Sequence, residues 1–113
     1  MTLQFIASQF KREILVKKIK NGIVKNGIAC LKVKTIEDPQ YLKDINQPIK
    51  SEENTFFSSP YKCNVHYFKS NELLNLFYDM QIRFYQEYSY LDKSHGTPHY
   101  HGVAEIIVEK NKE

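Results

Sequence analysis

Apolar and polar positions change their period several times along this chain, and each change predicts an element. Residues 13–20, EILVKKIK, run apolar and then alternate, which predicts a strand. Asn21-Gly22 and Asn26-Gly27 follow as two turn signals. One of them predicts a hairpin into residues 28–36, where Ala29, Leu31 and Val33 point one way and Lys32 and Lys34 the other. Residues 37–60 carry Pro39, Pro48 and Pro60 and read as a long connection, with one helical turn around 41–45. Residues 61–68 predict a further strand. Ser70 then suits the N-cap of a helix whose apolar face is Leu73, Leu74, Phe77, Met80, Phe84 and Tyr88.

A second hairpin closes the pattern. Residues 85–91 alternate, 92–98 have turn chemistry, and 99–109 are rich in Val and Ile. On the last strand Tyr100, Ala104, Ile106 and Val108 share an apolar face, which predicts their burial under the helix. His99, His101, Val103, Glu105 and Ile107 share the other. The fold class expected is α+β, an antiparallel sheet with one main helix packed on one face. Residues 1–113 form a single domain: a basic N-terminal hairpin region (1–36), the connection (37–60) and a β-α-β-hairpin unit (61–109).

Composition changes the picture at three points. The cysteines, Cys30 and Cys63, form no CxxC pair, so a disulfide framework or Cys-rich zinc site is not expected, and a reducing intracellular compartment is. No apolar run reaches the length of a transmembrane segment. The net charge of +3 is unevenly placed: before Thr35, Lys11, Arg12, Lys17, Lys18, Lys20, Lys25, Lys32 and Lys34 face Glu13 alone. Such a split suits a solvated face or contact with phosphate, and Lys17, Lys18, Lys20, Lys25, Lys32 and Lys34 are the residues expected at a nucleic acid. The basic, amphipathic residues 1–20 also suit a mitochondrial presequence, although they lack its Arg enrichment.

Three of the four histidines lie in SHGTPHYHGVAE, residues 94–105. Two same-face residues on a strand stand roughly 6.5–7 Å apart at Cα, close enough for both imidazoles to reach one cation. A third ligand, preferably a carboxylate, must come from a neighbouring segment. A hairpin centred on His95 sets Glu87 opposite Val103 and diagonal from His101, on the histidine face. Glu105 shares that face, and Asp92 and His95 lie in the turn.

The run Gln86-Glu87-Tyr88, a turn, then Gly96-Thr97-Pro98-His99-Tyr100-His101-Gly102-Val103 resembles the metal motif of HUH endonucleases, the rolling-circle replication initiators and plasmid-mobilisation relaxases. The resemblance covers about residues 84–108. It implies Mg²⁺ or Mn²⁺ held by His99, His101 and Glu87, with Tyr100 at the hydrophobic position, and binding or nicking of single-stranded DNA. The family's nucleophilic tyrosine has no assigned counterpart: no Tyr follows Tyr100, and Tyr85, Tyr88 and Tyr90 read as sheet and core aromatics. Two other readings stand beside it. One is a non-enzymatic accessory subunit of a larger, organellar assembly, with the basic region as its contact surface. The other rests on His99-x-His101-x-x-x-Glu105, which resembles the first metal motif of cupins.

Overall fold

The computed structural model describes residues 3–94 and 96–110. After a single 3-10 turn, Leu3–Phe5, the chain forms α1 (Gln9–Gly22), β1 (Ile28–Lys34), α2 (Pro39–Asp44), β2 (Thr55–Ser58), β3 (Cys63–His66), α3 (Glu72–Leu76), β4 (Gln81–Asp92) and β5 (His99–Glu109). The class is α+β. The order β1-β5-β4 makes one antiparallel sheet, and β2-β3 makes a separate hairpin.

The first departure from the sequence reading is α1, which occupies the expected strand at 13–20. Leu15, Val16, Ile19 and Ile23 fall on one helical stripe and pack into the main core. Ser8 starts the helix, its Oγ accepting from the Lys11 amide at 3.3 Å. The Arg12 guanidinium is buried and donates to the Ile6 and Ala7 carbonyls at 2.6 and 2.8 Å, which fixes the preceding turn. Gly22 therefore ends a helix and closes no hairpin. Asn26, at φ 67°, and the Gly27 amide, bonded to the Val24 carbonyl at 2.7 Å, turn the chain into β1.

The second departure is at 70–88, where the expected long helix is short. α3 stops at Leu76, and Phe84 and Tyr88 lie on β4. A register shift between Ile82 and Phe84 changes which side chains face the core: Ile82 pairs with Val108 and Tyr85 with Ile106, both turned inward. The main core joins α1, α3 and the inner face of the sheet, with Val16, Leu31, Val33, Leu73, Phe77, Ala104, Ile106 and Val108 all buried. Tyr100, expected among them, is 59% exposed.

The 37–60 connection holds more structure than its prolines suggest. Asp38 caps α2, with Pro39 opening the first turn. β2 then pairs with β3 to set Phe56, Val65 and Tyr67 against Tyr41 in a second, smaller core. The Tyr67 hydroxyl donates to the buried Asp44 carboxylate at 2.8 Å. The two layers are joined where Phe68 bonds alongside β1: its amide donates to the Lys34 carbonyl at 2.9 Å, and its carbonyl accepts from the Ile36 amide at 3.0 Å.

Candidate functional site

β1 and β4 both run antiparallel to β5 and so parallel to each other. Their carboxyl ends, Lys34 and Asp92, therefore meet the beginning of β5, with His99 and His101, at one end of the sheet. The Thr35–Asp38 turn closes this end from the side. It approaches so near that a Cβ on Gly102 would collide with the Asp38 backbone, which requires glycine there.

Asp38 organises this end of the sheet. Its side chain is 3% exposed. One oxygen caps α2 by accepting from the Gln40 amide at 2.9 Å. The other accepts from the Gly102 amide and from the Lys34 ammonium, both at 3.1 Å. Burial works against the Lys34 charge, but hydrogen bonds to Tyr61 and Asp38 and the Asp38 charge outweigh it, holding the lysine pKa above its ordinary value.

His101 sits between this buried pair and Asp92. Its Nδ1 lies 3.2 Å from Lys34 Nζ and 3.5 Å from Asp38 Oδ2, and its Nε2 lies 3.1 Å from Asp92 Oδ2. An ammonium only donates, so Nδ1 accepts from Lys34, and the proton of the neutral ring is on Nε2, given to Asp92. The other Asp92 oxygen accepts from the Ser94 amide and hydroxyl at 2.8 and 2.5 Å. His99 has the opposite tautomer: Nδ1 donates to the Thr97 carbonyl at 2.9 Å, leaving Nε2 as its basic nitrogen. The two imidazoles lie edge to face, centroids 4.5 Å apart. Beside them is a cavity of about 280 Å³ lined by Lys34, Asp38, Lys43, Tyr61, His99 and His101.

The structure thus brings His99 and His101 together but not Glu87. In the register observed Glu87 pairs with Ala104, one residue from the expected Val103. A one-residue slip transfers a side chain to the other face. There the Glu87 carboxylate accepts from the Asn71 amide at 2.7 Å, from Ser70 Oγ at 3.3 Å and from the Tyr85 hydroxyl, so it anchors the start of α3. These hydrogen bonds outweigh partial burial and lower the Glu87 pKa. Asp92 takes the position beside the imidazoles: among the described residues Asp92, His99 and His101 form a group whose ligand atoms lie within 4.8 Å of one another. Glu105 keeps the histidine face but accepts from the Tyr88 hydroxyl at 3.3 Å. His95 lies outside the described residues.

The six lysines expected at a nucleic acid have different surroundings. Lys17, Lys18 and Lys25 are exposed. Lys20 pairs with Asp79 at 2.7 Å, Lys32 lies 4.5 Å from the Tyr90 ring centroid, and Lys34 is buried on Asp38. Asp38 was not singled out by sequence reasoning, although Asp-Pro is a helix-start signal that marks it as a cap.

No protein-family model matches the chain, and no curated protein matches it by sequence. Solved structures do match in shape. One, a crystal structure described as a SAM-dependent methyltransferase from Methanosarcina mazei, superposes with a TM-score of 0.71 at 21% identity, over 98% of this chain. The match takes in 56% of that protein, so this chain spans little more than half its length. The finding overturns the HUH resemblance and with it the reading as a DNA-nicking endonuclease of replication. That resemblance rested on a short motif; its acidic position, Glu87, faces away from the histidines, and its hydrophobic position, Tyr100, is exposed. The accessory-subunit and cupin-like readings gain no support from the match either.

Proposed function

We propose that this chain is the acceptor-side part of a methyltransferase-type enzyme, and that the cleft beside His99 and His101 binds the group to be methylated. The observation that carries the reading is the fold match, extending over nearly the whole chain. The cleft lies at the end of the sheet where β1 and β4 finish and β5 begins. His99, His101 and Tyr61 line that cleft. Lys43 gives the cleft a positive edge that favours an anionic acceptor, the Lys34 charge being balanced by Asp38.

S-adenosylmethionine, the donor named for the Methanosarcina protein, fits the described residues poorly. The cleft, at about 280 Å³, falls below the usual range of roughly 300–1,000 Å³ for ligand pockets. The larger cavity, about 720 Å³ between α1 and α3, is lined by Lys17, Lys20 and Lys110 against Glu13 and Asp79, a net positive lining that opposes a sulfonium cation. The donor is therefore assigned to neither cavity.

Amide chemical-shift mapping tests the reading, with 4-hydroxybenzoate as an anionic probe bearing an ionisable hydroxyl. Shifts are expected at Tyr61, Lys43, His99 and Gly102, weakened several-fold in Lys43→Ala. S-adenosylhomocysteine is expected to cause none with the chain alone. Saturable binding of S-adenosylhomocysteine, or probe shifts scattered away from the cleft, overturns the assignment.

A further inference from the structure

The turn between β4 and β5 holds a donor set whose chemistry the fold match does not explain. Asp92 Oδ2 and His101 Nε2 are already 3.1 Å apart. Two ligands on one ion with bonds of about 2.0–2.2 Å stand roughly 3.0–3.5 Å from each other, so this edge is of the right length. His99 is exposed and supplies the third atom, and its Nε2 carries a free lone pair because the Thr97 carbonyl takes the Nδ1 proton. The ligand atoms of the three residues all lie within 4.8 Å of one another.

The surroundings suit such a site. Metal-bound histidine usually donates its other ring N–H to a carboxylate or carbonyl, which orients the ring and raises its basicity. Here Thr97 O serves His99, and the buried Asp38 Oδ2, 3.5 Å from Nδ1, is placed to accept from His101 once that nitrogen carries the proton. Binding at His101 Nε2 moves the ring proton from Nε2 to Nδ1, with no net proton lost from the imidazole. Lys34 then gives up its contact with Nδ1 and keeps Asp38, its partner at 3.1 Å. Asp92 is held by the Ser94 amide and hydroxyl through the oxygen that does not face the histidine.

We propose that Asp92, His99 and His101 bind one divalent transition-metal ion, with its remaining coordination positions open toward solvent and the cleft. Two imidazoles and one carboxylate favour zinc, iron, cobalt or nickel over magnesium or calcium, which prefer all-oxygen sites. The set differs from the one read off the sequence by a single residue, Asp92 in place of Glu87.

The test uses the full chain freed of metal with EDTA and titrated calorimetrically with ZnCl₂. One equivalent is expected to bind. His99→Ala and Asp92→Asn are each expected to weaken it at least tenfold, while Glu87→Gln leaves it unchanged. His99 is exposed, so its variant keeps the fold, which circular dichroism checks. Co²⁺ gives a second readout, visible absorption bands that appear in the wild type and are lost in His99→Ala. Absence of saturable binding overturns the site, as does one-equivalent binding that neither substitution weakens, since the ion then sits elsewhere. The hydroxybenzoate mapping does not depend on metal, so the two proposals fail separately.

Discussion

Replacing Asp38 by alanine examines the structural centre of the site. The substitution removes the α2 cap, which typically costs about 0.5–2 kcal/mol. It orphans the buried Gly102 amide, worth about 1–3 kcal/mol. It also leaves the Lys34 ammonium buried without its carboxylate, and breaking a buried pair in this way costs about 3–5 kcal/mol. One carboxylate makes all three contacts and the chain relaxes around its loss, so the parts do not add. A loss of about 3–5 kcal/mol is expected, from a domain total of about 5–15 kcal/mol. Thermal and urea unfolding followed by circular dichroism measure it, with a fall in Tm on the order of 15 °C. Adding Lys34→Met to Asp38→Ala removes the stranded charge and is expected to recover about 2 kcal/mol, because an apolar side chain of similar volume replaces a buried ion at little cost. A loss below about 1 kcal/mol for Asp38→Ala would refute the reasoning. So would a double variant no more stable than the single one.

Two further substitutions probe other parts of the structure. Burial opposes ionisation of Glu72, but the hydrogen bond and charge of His66, 2.6 Å away, outweigh it and hold the carboxyl pKa below its ordinary value. The stability this pair contributes is therefore complete above the unfolded pKa of about 4.3 and is lost as pH falls through the folded value. Glu72→Gln should cost about 1.5–3 kcal/mol at pH 7 and progressively less below pH 4, and a deficit independent of pH would contradict the assignment. Gly102→Ala should destabilise by about 1–3 kcal/mol as its methyl meets the Asp38 backbone, whereas Gly22→Ala, with open space at the end of α1, should be neutral or stabilising. Equal melting temperatures for the two variants would show that the turn yields without cost.

The second hairpin was legible because period-two alternation and turn chemistry agree from Tyr85 to Glu109. The N-terminal helix was not. In a stretch as short as EILVKKIK an apolar run suits strand and helix equally, and the tertiary stripe of Leu15, Val16, Ile19 and Ile23 decides between them. The overlong helix at 70–88 has a different origin. Leu73, Phe77 and Met80 do pack against the core near α3, but beyond them Phe84 and Tyr88 lie on one face of β4, opposite Ile107 and Val103. A spacing of four residues puts two side chains on one face of a strand as well as of a helix. β2 was missed because only its partner β3 shows what buries Thr55, Phe56 and Ser58.

Strand parity also decides the chemistry of the site. Alternation along a strand assigns each carboxylate of β4 to one face or the other, and the assignment depends on how many residues the turn consumes. With Asp92 opposite His99 and Tyr90 opposite His101, the odd-numbered Glu87 faces α3, where two donors and the Tyr85 hydroxyl hold it as a structural anion. Had the turn been one residue shorter, Glu87 would have stood opposite Val103 on the histidine face, diagonal to His101, and left the start of α3 without its carboxylate. Residue types alone do not separate these outcomes, since both carboxylates flank the motif in sequence. The separation comes from Gly102, which lets Asp38 reach the β5 backbone, and from Lys34, which Asp38 holds against His101. Those contacts span 64 and 67 positions of the chain, and they place the histidine between one buried and one half-buried acid. The composition of the cluster is thus written locally in the hairpin, but its charge balance is set by β1 and the turn after it.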